Sequence, residues 1–196
     1  MTMFFFGVAA IVAYLFGSIP FGVVIARLFG LGDLRKIGSG NIGATNVLRT
    51  GNKPAAFLTL VLDAGKGAIA VLVARAVAGE GAAGLAGLFA VLGHIFPLYL
   101  GFKGGKGVAT FLGTLLALSF PAGLAACATW AVVAALSRIS SLSAIIASLL
   151  APVYALYFYH FHGAIVVAIL SVIVIWRHRE NIARIRDGSE PRIGRK

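Results

Sequence analysis

The stretch AIIASLLAPVYALYFYHFHGAIVVAILSVIVIW, residues 144–176, runs for 33 residues without a Lys, Arg, Asp or Glu. One bilayer crossing needs roughly 20 apolar residues as a helix. The stretch is too long for one crossing and long enough for two, with a turn near His160–Gly163. A second charge-free run, MFFFGVAAIVAYLFGSIPFGVVIA, fills residues 3–26. Across the chain 60% of residues are hydrophobic and 12% charged, about half the charged share of a soluble domain. So much apolar surface exceeds what one small core can hold, and lipid is its natural solvent.

The net charge of +11 would suggest nucleic acid in a soluble protein. Here the basic residues sit between apolar runs, so membrane topology explains them and no nucleic-acid partner is expected. Arg27, Arg35, Lys36, Arg49 and Lys53 form one cluster, Lys103 and Lys106 a second. Arg138 stands alone, and Arg177, Arg179, Arg184, Arg186, Arg192, Arg195 and Lys196 crowd the end. If all face the cytoplasm, each apolar stretch between them crosses an even number of times. Turns are then expected at Gly79-Glu80-Gly81, near Phe120-Pro121 and near His160–Gly163. The expected fold is all-α: a polytopic bundle of about seven transmembrane helices, N-terminus outside and C-terminus cytoplasmic. Residues 1–196 read as a single domain of the bacterial inner membrane. Residues 107–120 give only about 21 Å of helix against a hydrocarbon core of about 30 Å. The competing count is therefore five, with Pro121 kinking one span. MTMFFFGVAA has no basic n-region and reads as a retained helix rather than a signal peptide. Cys127, the sole cysteine, lies in an apolar run and reads as packing.

The polar loops carry the chemistry. In Gly38-Ser-Gly-Asn-Ile-Gly-Ala-Thr-Asn-Val-Leu-Arg49, glycines at 38, 40 and 43 let backbone N–H groups approach an anion. Ser39, Asn41, Thr45 and Asn46 add polar groups, and Arg49 adds a fork suited to phosphate. The same residues are ordinary in a flexible loop; their convergence on an arginine favours an anion site. The second loop, Gly101-Phe-Lys-Gly-Gly-Lys-Gly107, is not a nucleotide P-loop, because Gly107 stands where a Ser or Thr must follow the lysine. Lys106 leads into the next helix, where an anion is favoured. Lys103 and Lys106 also fit as positive-inside anchors, but that leaves Gly101, Gly104, Gly105 and Gly107 without a purpose, whereas they make a cradle for Lys106. Asp63 and Lys66 lie inside an apolar run, where they either neutralise each other at i, i+3 or support function. Arg75 is expected to snorkel outward. His94 is expected to be an interhelical histidine, and His160 and His162 interfacial. His178 and Asn181 share a helix face at the membrane edge, with His178 a candidate base or phosphate donor. No zinc-type ligand spacing and no Gly-x-Ser-x-Gly elbow occurs, and no cofactor or metal is expected.

Residues 38–46, the segment Gly-His-Ile-Phe-Pro…Gly-Phe-Lys-Gly-Gly-Lys-Gly-Val-Ala-Thr (93–110) and Arg-His-Arg-Glu-Asn (177–181) resemble the bacterial acyl-phosphate:glycerol-3-phosphate acyltransferase family. The likeness runs from Phe16 to the tail. It implies transfer of an acyl group from acyl phosphate to the 1-hydroxyl of glycerol 3-phosphate, giving lysophosphatidic acid. It also implies a cytoplasmic-side site made by Ser39, Thr45, Asn46, Arg49, Lys106, Ser141, His178 and Asn181. Among Ser140, Ser141 and Ser143 the register is open. The proton acceptor is either His178 or the donor's own phosphate. Membrane lipid and a soluble enzyme that forms acyl phosphate are the expected partners. Two other readings compete: a small transporter of a phosphorylated solute, which would want an internal repeat, and a lipid-binding scaffold, which would need only the basic tail.

Overall fold

The computed structural model describes residues 2–194, and among them there are helices, turns and loops but no strand. The chain divides into two compact units, one ending at Leu118 and one beginning at Ser119.

The first unit contains α1 (Thr2–Gly17), α2 (Phe21–Leu28), α3 (Ala44–Leu48), α4 (Lys53–Ile95) and α5 (Val108–Leu118). α1 stops before Pro20, which has no N–H to donate and disfavours helical backbone at Ile19. α4 begins where the Asn52 side chain accepts from Ala55 N at 3.0 Å, with Pro54 in the first turn. Its 43 residues would make a straight rod of about 64 Å, twice the hydrocarbon thickness. The rod is broken at Gly79, whose φ of 78° and ψ of −171° are not helical. A side chain at Gly87 would meet Val71 Cγ2 at 3.1 Å. On one straight helix these positions would stand about 24 Å apart, so residues 53–78 and 80–95 run back against each other. Ala70 and Ala74 of one arm pack on Ala82, Ala86 and Ala90 of the other, with Ala13 of α1 completing the cluster. Alanines and glycines allow this close approach where lipid offers no hydrophobic drive. The fold-back falls at the expected Gly79-Glu80-Gly81 turn. Arg75 reaches towards that turn. Its Nε and Nη2 grip Glu80 at 2.7 and 2.9 Å, and its guanidinium donates to Ala117 O and Leu118 O at 2.6 and 3.1 Å. It thereby satisfies carbonyls that end α5.

The second unit contains α6 (Phe120–Ser137), α7 (Ser140–Phe158), α8 (Phe161–Arg177) and α9 (Arg179–Arg186). Ser119 is extended and Pro121 stands in the first turn of α6, so this proline starts a helix and does not kink one. Thr129 Oγ1 and Tyr154 OH lie 2.8 Å apart and bind α6 to α7. His160 Nδ1 accepts from Gly163 N at 2.9 Å, so the residue expected to be merely interfacial caps α8.

Among the described residues four stretches are long and apolar enough to cross a bilayer: Met3–Leu28, Lys53–Leu100, Phe120–Ser137 and Ser140–Phe158. Phe161–Arg177 and Arg179–Arg186, bent by 56°, reach that length and hydropathy only when taken together. Large apolar side chains such as Leu72, Val77, Leu136, Tyr157 and Val172 are more than half exposed. Outward apolar surface on this scale belongs to a protein solvated by lipid.

Candidate active site

The first polar loop is organised by Asn46, which lies in α3 and is 2% exposed. Its Nδ2 shares two hydrogens among the carbonyls of Leu34, Ile37 and Asn41 at 2.8, 3.0 and 2.7 Å. Its Oδ1 accepts from Ser39 N, Ser39 Oγ and Arg49 Nη1 at 3.1, 3.4 and 3.3 Å. Asn46 is therefore spent on the loop itself. What it presents outward is the half-buried pair Ser39 and Arg49, with Thr45 on the same short helix. Gly38 has a φ of 53°, and a Cβ there would lie 2.6 Å from Asn46 Oδ1 and 2.7 Å from Arg49 Cδ. Only glycine allows the turn that brings Ser39 and Arg49 to one amide. Gly40 donates to Ile37 O at 2.9 Å, Gly43 caps α3 with extended backbone, and Asn41 contributes its carbonyl.

The second loop leaves α4 at Ile95 and reaches α5 at Val108. Lys103 is exposed and Lys106 half-buried between the buried glycines 105 and 107. Beneath the loop, Asp63 and Lys66 are 2% and 1% exposed. Asp63 Oδ1 meets Lys66 Nζ at 2.8 Å and faces His94 Nδ1 at 3.5 Å. Lys66 Nζ also donates to Ile19 O at 2.8 Å and lies 5.6 Å from the Phe21 ring centroid. The Ile19 carbonyl, which also accepts from Phe21 N at 3.1 Å, is a partner the i, i+3 spacing does not reveal.

In the second unit His178 stands at the bend between α8 and α9, 3% exposed. Its Nδ1 lies 2.8 Å from Val174 O. A carbonyl only accepts, so Nδ1 carries hydrogen and the lone pair of the neutral ring lies on Nε2. Asn181, one turn on, is 2% exposed. Its Nδ2 donates to Glu190 Oε1 at 2.6 Å, as does Ser141 Oγ at 2.6 Å, and Arg184 Nε reaches Oε2 at 2.8 Å. Burial opposes the charge on Glu190, but these three donors outweigh it and hold the carboxyl below the usual carboxylate range. Ser143 turns back to Ile139 O at 2.9 Å, so Ser141 is the serine that joins Asn181. The Arg138 carbonyl accepts from Ile193 N at 2.7 Å, fastening the tail that carries Glu190. Glu190 was not legible in the sequence. It is one of three acids in a basic tail, with Glu180 and Asp187, and only its three partners mark it.

Apolar helices with large apolar side chains facing outward, joined by glycine-built polar loops, define an integral membrane protein. Comparison with known proteins makes the class specific. The glycerol-3-phosphate acyltransferase family model matches residues 7–188, and the chain belongs to that family. A glycerol-3-phosphate acyltransferase of Jannaschia sp. (strain CCS1) is 65% identical over 96% of this chain and 93% of that protein. One of Cereibacter sphaeroides (strain ATCC 17025 / ATH 2.4.3) is 61% identical over 95% of this chain and 89% of its own. The crystal structure of PlsY (YgiH), an integral membrane glycerol 3-phosphate acyltransferase in its glycerol 3-phosphate form, aligns with a TM-score of 0.91. Its identity is 41%, over 96% of each chain. Its lysophosphatidic acid form aligns at 0.90 with 40% identity, over 96% of this chain and 95% of that one.

Proposed function

We propose that this chain is a membrane glycerol-3-phosphate acyltransferase. It moves an acyl group from acyl phosphate to the 1-hydroxyl of glycerol 3-phosphate, giving lysophosphatidate and inorganic phosphate. The observation that carries the reading is the alignment, over nearly the whole chain, with a solved acyltransferase in its glycerol 3-phosphate and lysophosphatidic acid forms. Residues 1–196 act as one catalytic domain.

An acyl phosphate is already an activated mixed anhydride. The glycerol hydroxyl oxygen attacks the acyl carbon, the bond from that carbon to the phosphate oxygen breaks, and phosphate departs with the electron pair. Placing two substrates in attack geometry supplies roughly 7–11 kcal/mol of barrier reduction. Lys106 stabilises phosphate charge as it develops. Ser39, Thr45 and Arg49 bind a substrate phosphate, with Asn46, Gly38, Gly40, Asn41 and Gly43 shaping their loop. Ser141 and Asn181 contribute polar contacts. The hydroxyl proton passes to His178 Nε2 or to the departing phosphate, and His178→Gln separates the routes by sparing turnover only in the second.

Seven apolar helical segments support seven crossings: α1, the two arms of α4, then α5 to α8. The N-terminus then lies outside, and the basic loops with the active site lie on the cytoplasmic side of the bacterial inner membrane. At 11 residues α5 is about 16 Å long, so its crossing is a short one within protein. A soluble enzyme that forms acyl phosphate is the expected supplier. Purified protein given acyl phosphate and glycerol 3-phosphate should yield lysophosphatidate and phosphate in equal amounts. No product, with uptake of labelled glycerol 3-phosphate into proteoliposomes, would establish the transporter reading instead.

A further inference from the structure

His94 stands where α4 gives way to the glycine loop, and the two edges of its ring face different partners. Nδ1 faces Asp63 Oδ1 at 3.5 Å, and the same oxygen holds Lys66 Nζ at 2.8 Å. The opposite edge faces Gly105. A Cβ built on Gly105 would run into His94 Nε2, and it would lie 3.1 Å from both Cδ2 and Cε1. Its three nearest atoms all belong to this one imidazole. Gly105 is not one of the positive-φ glycines, so its backbone conformation tolerates alanine and the ring is the first obstacle a methyl would meet. The loop main chain is tied down at the same place. Gly105 N donates to His94 O at 3.2 Å, Gly104 N to Ile95 O at 3.1 Å and Phe102 N to Pro97 O at 2.9 Å.

We propose that Asp63 and His94 are positioning residues for the glycine loop and set where Lys106 stands. The buried carboxylate stands 3.5 Å from Nδ1 and favours a ring angle that keeps this edge towards it. The ring is then a wedge whose far edge seats the Gly104–Gly105 backbone, and Lys106 is the next residue. Asp63 thus does more than neutralise Lys66. The glycine at 105 exists for the wedge, whereas flexibility explains Gly107, with its φ of 85°. The effect on turnover rests on the role proposed for Lys106, because a 1 Å misplacement of a group that contacts the reacting centre costs about a hundredfold in rate.

The test uses the full chain in detergent with four variants: Gly105→Ala, His94→Ala, the double variant and His94→Gln. Hydrogen exchange is followed over residues 101–107, and kcat and KM are measured for each substrate. Gly105→Ala should lower kcat at least tenfold and raise loop exchange. His94→Ala should do the same while exchange elsewhere in α4 is unchanged. In the double variant the methyl enters the space the ring leaves, so it should be more active than Gly105→Ala alone. His94→Gln, whose amide reaches the Nε2 position, should recover part of the activity. If His94→Ala does not fold, Gly105→Ala and His94→Gln still decide the matter by loop exchange. Losses that multiply in the double variant, or wild-type exchange and kcat in Gly105→Ala, would overturn the proposal. A wild-type chain without acyl transfer refutes the proposed function instead and leaves the exchange comparison standing.

Discussion

Replacing Glu190 tests the reading of the second unit most directly. Its side chain is 6% exposed and accepts from Ser141, Asn181 and Arg184 at 2.6, 2.6 and 2.8 Å. Arg184 is about one-third exposed, so its ion pair is worth no more than about 1 kcal/mol. Ser141 and Asn181 are buried, and a hydrogen bond to a charged partner contributes about 1.5–3 kcal/mol. Water that enters beside the tail recovers part of this. Glu190→Ala should therefore cost on the order of 3 kcal/mol locally, opening the tail roughly a hundredfold more often. Glu190→Gln keeps a neutral acceptor and should cost about half as much. Because the native carboxyl titrates below its unfolded value of about 4.3, its stabilisation is complete above that value. It is lost as pH falls through the lowered native value. The gap between wild type and Glu190→Gln should thus be constant from pH 6 to 8 and close under acid. Hydrogen exchange over residues 187–194, with thermal unfolding in detergent, measures both. Equal exchange at pH 7 in wild type and Glu190→Ala would refute the carboxylate's role as anchor.

Four further outcomes are expected. Lys106→Ala should lower kcat about 10²–10³-fold with the protein still inserted and folded, and Lys103→Ala, at an exposed position, should lose far less; equal small losses would reduce the loop to generic positive charge. Lys66→Met leaves Asp63 buried beside His94 without its lysine and should cost about 3–5 kcal/mol, while Asp63→Asn with Lys66→Met should cost less; unfolding midpoints that simply add would refute the pairing. Cysteines at Lys53, Lys103, Arg138 and Arg184 should resist impermeant reagent in intact cells, and external labelling at any of them would end the seven-crossing topology. Initial-rate plots should intersect, as a ternary complex requires, with no acyl chain on Ser39, Ser141 or Cys127; label retained on denatured protein after incubation with donor alone would restore a covalent route.

The linear pattern carried much of the molecule. Charge-free runs such as residues 144–176 can satisfy their backbone only as helices in lipid, so an all-helical membrane protein followed from composition and spacing. The Gly79 turn was legible for a local reason: flanking glycines and a charge interrupt an apolar run. The loop motifs were legible because glycines and small donors cluster within a few residues of an arginine or lysine.

The partners were not legible, because they depend on which distant groups the packing brings together. Asn46 reads like a phosphate donor, yet its amide is consumed by Leu34, Ile37, Asn41, Ser39 and Arg49. Nothing near Arg75 in the sequence points to Ala117 and Leu118, whose carbonyls it reaches across to α5. Ser140, Ser141 and Ser143 are equivalent as sequence, and the return of the tail with Glu190 singles out Ser141. Local periodicity decides what a residue can form, since backbone hydrogen bonds and lipid burial act over a few positions. Which polar group meets which is decided by close packing between segments far apart in the chain, and that information exists only in the folded molecule.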